Sequence, residues 1–156
     1  MVDKYPLNVH YLGFVARFMQ GARMVLLDRH PLDVCVALFR QPHFNYSFDL
    51  QDLARYYLAY RALVTHWQVV IPDLHVVSYE TMVSAPEATI DALLNYVGVE
   101  PDERCYRFFE HGGASATASS VQVREKMHTR SVGQWRHWDA QLAPLIEQLE
   151  QHGVTL

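Results

Sequence analysis

The chain has 156 residues, half of them hydrophobic, enough for about one domain with a real core. A formal charge of −4 with nine His counted neutral, and no run of Lys and Arg, argue against a nucleic-acid binder held by phosphate neutralisation. No stretch reaches about 18 apolar residues and Met1 to Pro6 lacks a signal-peptide layout, so neither membrane nor export is expected and the setting is read as cytoplasmic.

Asn8 fits the cap of a helix whose apolar positions Tyr11, Leu12, Val15, Phe18 and Met19 keep helical spacing and which ends near Gly21. Met24 to Leu27 is a continuous apolar run, too short for a buried helix, and predicts a strand covered on both faces as in a parallel sheet. Pro31 suits the first turn of the helix that follows, where a missing N–H costs nothing. Arg29 then lies at the carboxyl end of a strand beside a helix N-terminus. Free N–H groups and the helix dipole there favour a phosphate or sulfate, which a guanidinium can grip bidentately. The competing reading pairs Arg29 with a carboxylate such as Asp28 or Asp33.

An aromatic stretch, Gln41 to Phe48, precedes a long helix with Leu50, Leu53, Ala54, Tyr57, Tyr60, Val64, Trp67 and Val70 on one face. Asp49 and Asp52 stand at its start and Pro72 closes it. Leu74 to Tyr79 reads as a second strand, and the intervening helix makes the two strands parallel. Ser84-Ala85-Pro86-Glu87 has the spacing of a capping box, with Ile90, Leu93, Leu94 and Val97 behind it and Gly98 at C′. A short helix over Asp102 to Glu110, a loop from His111 to Ser120, an aperiodic stretch to Gly133 and a final helix marked by Leu142, Leu145, Ile146 and Leu149 complete the chain. No repeat or linker divides it, so residues 1–156 are read as one unit of α/β class.

Cys35 and Cys105 are far apart without a CxxC pair, which favours two reduced, buried thiols. No two His stand at the helical i, i+4 spacing that would place both on one face, so no metal site is expected. GxSxG, GxxxxGK[ST] and GxGxxG are all absent.

Five segments in order carry a resemblance: Asp3-Lys4-x-Pro6-x-Asn8, Arg29-x-Pro31-Leu32-Asp33-x-Cys35, Tyr79-Glu80, Thr117-Ala118-Ser119-x-x-Gln122-Val123-Arg124 and Ser131-Val132-Gly133-x-Trp135. Together they resemble the C-terminal half of sulfotransferases that use 3′-phosphoadenosine 5′-phosphosulfate. The nearest likeness is to bacterial, often tetratricopeptide-linked, relatives of tyrosylprotein sulfotransferase.

The resemblance implies a partial P-loop-type three-layer fold, with a short parallel sheet flanked by helices. It implies that Arg29 holds the nucleotide's 3′-phosphate and that Lys4 and Ser119 act on the transferring sulfuryl group, with Ser120 as a register alternative. Tyr79 would lie near the nucleotide, and Arg124 and Lys126 in a segment that closes over the 3′-phosphate and adenine. Gly133 and Trp135 would anchor that segment by packing.

Several positions depart from the family pattern. Ala37 stands where a Ser bonding the same phosphate is usual, a loss on the order of 1–3 kcal/mol. His30 replaces an Asp, and Lys126 and His128 replace a Pro and a Tyr. In relatives the phosphosulfate-binding loop, with its strand and helix, and the acidic base of the tyrosylprotein branch precede the position of Asp3. Without them this polypeptide alone is expected to transfer sulfate to a hydroxyl acceptor poorly or not at all. The alternative is a non-catalytic nucleotide-binding or interaction module, with His43 to Phe48 as its contact surface. A sheet edge left open by missing strands would allow a homodimer in either case.

Overall fold

The computed structural model describes residues 2–40, 44–110 and 125–156. The chain opens with a 3₁₀ turn over Pro6–Tyr11 and continues into α1 (Leu12–Phe18). Asn8 does not cap this helix: it lies inside the turn, its N–H bonded to the Tyr5 carbonyl at 3.0 Å. Trp67 holds the segment down, donating from Nε1 to the Val9 carbonyl at 2.8 Å and packing its ring against Gly13. A Cβ at Gly13 would lie 2.6 Å from Cη2 of that ring. Gly13→Ala is therefore expected to destabilise the chain by about 1–3 kcal/mol, read as a lower urea midpoint.

Among the described residues the sheet has two strands, β1 (Val25–Asp28) and β2 (His75–Ser78), parallel as expected, with Val25 opposite His75 and Asp28 opposite Ser78. The crossover between them carries α2 (Pro31–Arg40), which begins at Pro31 as the sequence predicts, and α3 (Leu50–Val70). Asp49 caps α3 through its carboxylate, which accepts the N–H groups of Gln51 and Asp52 at 2.8 and 3.0 Å. Beyond β2 come α4 (Tyr79–Ser84), α5 (Pro86–Val97), α6 (Glu103–Tyr106) and α7 (Asp139–Gln151). Short 3₁₀ turns occupy Thr129–Ser131 and Gln134–Trp138 before α7.

Leu32, Cys35 and Val36 of α2, Leu53, Ala54 and Tyr57 of α3, and Leu142, Leu145 and Leu149 of α7 form one buried cluster. The α3 and α7 stripes thus face the core as their spacing predicts, except at Val70, which is exposed at the end of α3. Burial pushes the Cys35 thiol up to about 12, so it stays protonated, while Cys105 is only half-buried and also free.

Three expectations fail on local chemistry. The second strand stops at Ser78 because the Ser78 side chain caps α4, accepting the Thr81 N–H at 3.2 Å, which makes Tyr79 the first helical residue. Ser84 does not cap α5: it ends α4, donating back to the Glu80 carbonyl at 2.7 Å, while Gly98 does close α5 in the left-handed conformation, φ 73°. Residues 102–110 split into α6, capped by Asp102, and a 3₁₀ turn.

A fourth concerns coverage. Val25 and Leu27 remain 44% and 50% exposed, and Phe14 and Phe18 of α1 more so. Strand β1 is therefore not covered on both faces by the described residues.

Candidate functional site

Arg29 follows β1 directly, and its side chain hydrogen-bonds neither carboxylate that the sequence offers, although it forms a loose ion pair with Asp33. Asp28 receives Nη1 of Arg61 on both oxygens at 3.1 Å and the backbone N–H of Arg29 at 3.1 Å. The nearest Asp33 oxygen lies 4.0 Å from Arg29 Nη2, too far for a hydrogen bond. Instead the guanidinium lies 4.6 Å over the Tyr79 ring, and Nη2 donates to the Ser131 carbonyl. Among the described residues its Nε is buried without a partner. A buried, charged N–H left unbonded is costly, so this donor points to an acceptor that the described residues do not supply.

The start of α2 is less open to an anion than the sequence suggests. The His30 N–H is taken by the Glu80 carboxylate at 2.9 Å, and the Leu32 N–H points to His30 Nδ1 at 3.3 Å. His30 is thus an internal cap, half-buried and stacked on Trp135 with ring centroids 5.3 Å apart, rather than an exposed ligand group. Burial opposes ionisation of Glu80. The N–H groups of His30 and of Glu80 itself, the Ser78 hydroxyl and the Arg29 charge outweigh it and hold the carboxyl below its ordinary 4.5.

The sign follows from that depression. Ionised Glu80 stabilises the fold fully above its unfolded value, and the contribution disappears as pH falls through the lower, folded one. Glu80→Gln is therefore expected to flatten the acid limb of stability against pH below about 4.5, measured by urea unfolding across pH.

Two cavities meet at Arg29. One, of about 500 Å³, lies at the carboxyl ends of both strands and adds Arg61, Ser78, Glu80 and His152. The other, of about 610 Å³, runs along β1 from Val25 to Arg29 and is walled by Tyr46, Tyr56 and Tyr60, with Lys4 at its rim. The fold thus brings Lys4 and Arg29 to one cavity across 25 residues of chain. Lys4 is exposed there.

Tyr46 stacks on Tyr56 at 3.7 Å between centroids and on Phe44 at 5.3 Å. Burial, then the hydrogen bond with Tyr56, pushes the Tyr46 hydroxyl well above its usual range and keeps it neutral. Of the aromatic stretch expected as an outer contact surface, only Phe48 is largely exposed among its described aromatic residues. The faces of Phe44 and Tyr46 are spent on internal stacking.

The remaining positions separate. Ala37 is exposed on α2 and lines neither cavity. The Lys126 ammonium lies 5.4 Å over the Phe109 ring, beside the segment after α6. Ser119, Ser120 and Arg124 lie outside the described residues. Among the described residues no group of three or more His, Cys, Asp or Glu could hold a metal, and no helix is long and apolar enough to cross a membrane.

Sequence reasoning did not single out Arg61 or the tyrosine wall. Their residues lie on one long helix and on the 3₁₀ turn Asn45–Phe48 just before it, and no motif spacing marks them as a wall.

Comparison with known proteins adds two findings. A family model described as the sulfotransferase family matches residues 1–103. A protein of Aquifex aeolicus (strain VF5), described only as an uncharacterized protein, is 28% identical over 158 residues, covering 97% of this chain and 21% of the relative. The chain spans about a fifth of that relative's length.

Proposed function

Because the chain belongs to the sulfotransferase family, we propose that it binds the 3′-phosphate of 3′-phosphoadenosine 5′-phosphosulfate through Arg29 and serves transfer of the sulfuryl group to a hydroxyl acceptor. The observation that carries this reading is the buried, unpartnered Nε of Arg29. A phosphate oxygen satisfies that donor, and the stacked, half-buried guanidinium has lost most of its freedom before ligand arrives.

The donor nucleotide, when bound, supplies an activated sulfuryl group on its 5′-phosphate. The roles of the chain's own residues are those the resemblance implies, supported for Arg29 and Lys4 by the cavity they share. Arg29 fixes the nucleotide at the cavity's inner end, and Tyr79 backs the guanidinium. Lys4, on the rim of the same cavity, neutralises charge that spreads over the sulfuryl oxygens during transfer. Ser119 would donate through its hydroxyl at the same place, and Arg124 and Lys126 would close over the 3′-phosphate. Ala37 contributes no hydrogen bond, so affinity rests more heavily on Arg29 than in relatives with Ser.

Calorimetric titration with adenosine 3′,5′-bisphosphate tests the reading. Saturable binding supports it. No heat at millimolar ligand overturns it in favour of a non-catalytic module on the same fold.

A further inference from the structure

Asp33 is the most deeply buried carboxylate among the described residues, 2% exposed, yet no cation reaches it at hydrogen-bond distance. Its oxygens accept two backbone N–H groups from a segment 100 residues away, that of Gly133 at 2.6 Å and that of Trp135 at 3.1 Å. Those two bonds secure the left-handed turn at Gly133, φ 70°, and with it the ends of two contacts that surround Arg29. Two residues before the turn, the Ser131 carbonyl accepts Arg29 Nη2. Two residues after it, the Trp135 ring stacks on His30, the neighbour of Arg29 in sequence.

We propose that Asp33 is a positioning residue for Arg29: by clamping Gly133 and Trp135 it places the Ser131 carbonyl that turns the guanidinium and leaves Nε free for the anion. The inference rests on the proposed nucleotide reading and assigns the orientation of its main ligand to a residue that never touches the nucleotide.

Charge and positioning predict opposite signs here. A carboxylate 4.0 Å from Arg29 opposes a second anion, so if only charge mattered, Asp33→Asn would tighten anion binding. If the clamp matters, Asp33→Asn weakens it. The amide keeps one acceptor oxygen but turns an NH₂ toward one of the two N–H donors, and the segment is released.

The experiment titrates wild type, Arg29→Ala, Asp33→Asn and the double variant with adenosine 3′,5′-bisphosphate and with adenosine 5′-monophosphate, which lacks the 3′-phosphate. The expected result is a loss of about tenfold or more for the bisphosphate in Asp33→Asn, no change for the monophosphate, and no further loss when Asp33→Asn is added to Arg29→Ala. A merely structural role would lower both affinities together and add to Arg29→Ala, and either outcome overturns the proposal. So does bisphosphate binding that is unchanged or tighter in Asp33→Asn.

Gly133→Ala guards against a variant that does not fold. It leaves the buried carboxylate in place but strains the same turn, because a residue with a Cβ rarely adopts the φ of 70° found there. The same selective loss is expected, and bisphosphate affinity equal to wild type would overturn the clamp. A wild-type chain that binds no bisphosphate overturns the nucleotide reading itself, and this inference with it.

Discussion

Arg29→Ala lowers affinity for adenosine 3′,5′-bisphosphate by about two orders of magnitude, while the circular dichroism of the chain stays that of wild type. The size follows from what is removed. Hydrogen bonds to a charged group contribute about 1.5–3 kcal/mol each, so losing one of them to a phosphate costs about one to two decades in affinity.

Arg29→Lys does not restore binding. An ammonium cannot lie flat on Tyr79, donate to the Ser131 carbonyl and present a further N–H at once, whereas the planar fork of Arg29 does all three. Affinity within a factor of about two of wild type in Arg29→Ala would remove the central ligand from the proposed site.

Arg29 also shows how far the sequence reaches. The strand, the turn and the helix start at Pro31 are local, each set by residues within one turn, and all three are legible. So are the Asp49 cap and the Gly98 terminus. What the sequence does not reveal is which acceptors the local donors find. The His30 N–H meets Glu80, 50 residues on, and Asp33 meets Gly133 and Trp135 about 100 residues on, bonds that leave no period in the chain.

Ser84 failed for a related reason. A capping box and a helix end draw on the same side-chain hydroxyl, and the Glu80 carbonyl, one turn back, took it. The apolar spacing of Tyr11, Phe18 and Met19 identified a helix yet said nothing of what covers it, and all three are half or more exposed. Periodicity reports the face, not its partner. The placing of Lys4 in one cavity with Arg29 had no local signal and was anticipated only through the resemblance.

Lys4→Ala separates binding from transfer. Lys4 lines the 610 Å³ cavity together with Arg29, and it is exposed, so its loss leaves no hole in the core. Affinity for the bisphosphate, a ligand that carries no sulfuryl group, is expected to change by less than about threefold. Transfer of labelled sulfate to a phenol or a sugar, assayed with this chain extended upstream to include a phosphosulfate-binding loop, is expected to fall by about 10²–10³ in kcat, the usual effect of deleting one positioned donor to developing negative charge. A change in kcat and kcat/KM together, with ground-state affinity kept, marks an interaction made only in the transition state. Equal losses in affinity and rate would instead place Lys4 on the nucleotide phosphates. An unchanged rate would make it one more solvated Lys, and the sulfuryl group would then have to lie elsewhere than along β1.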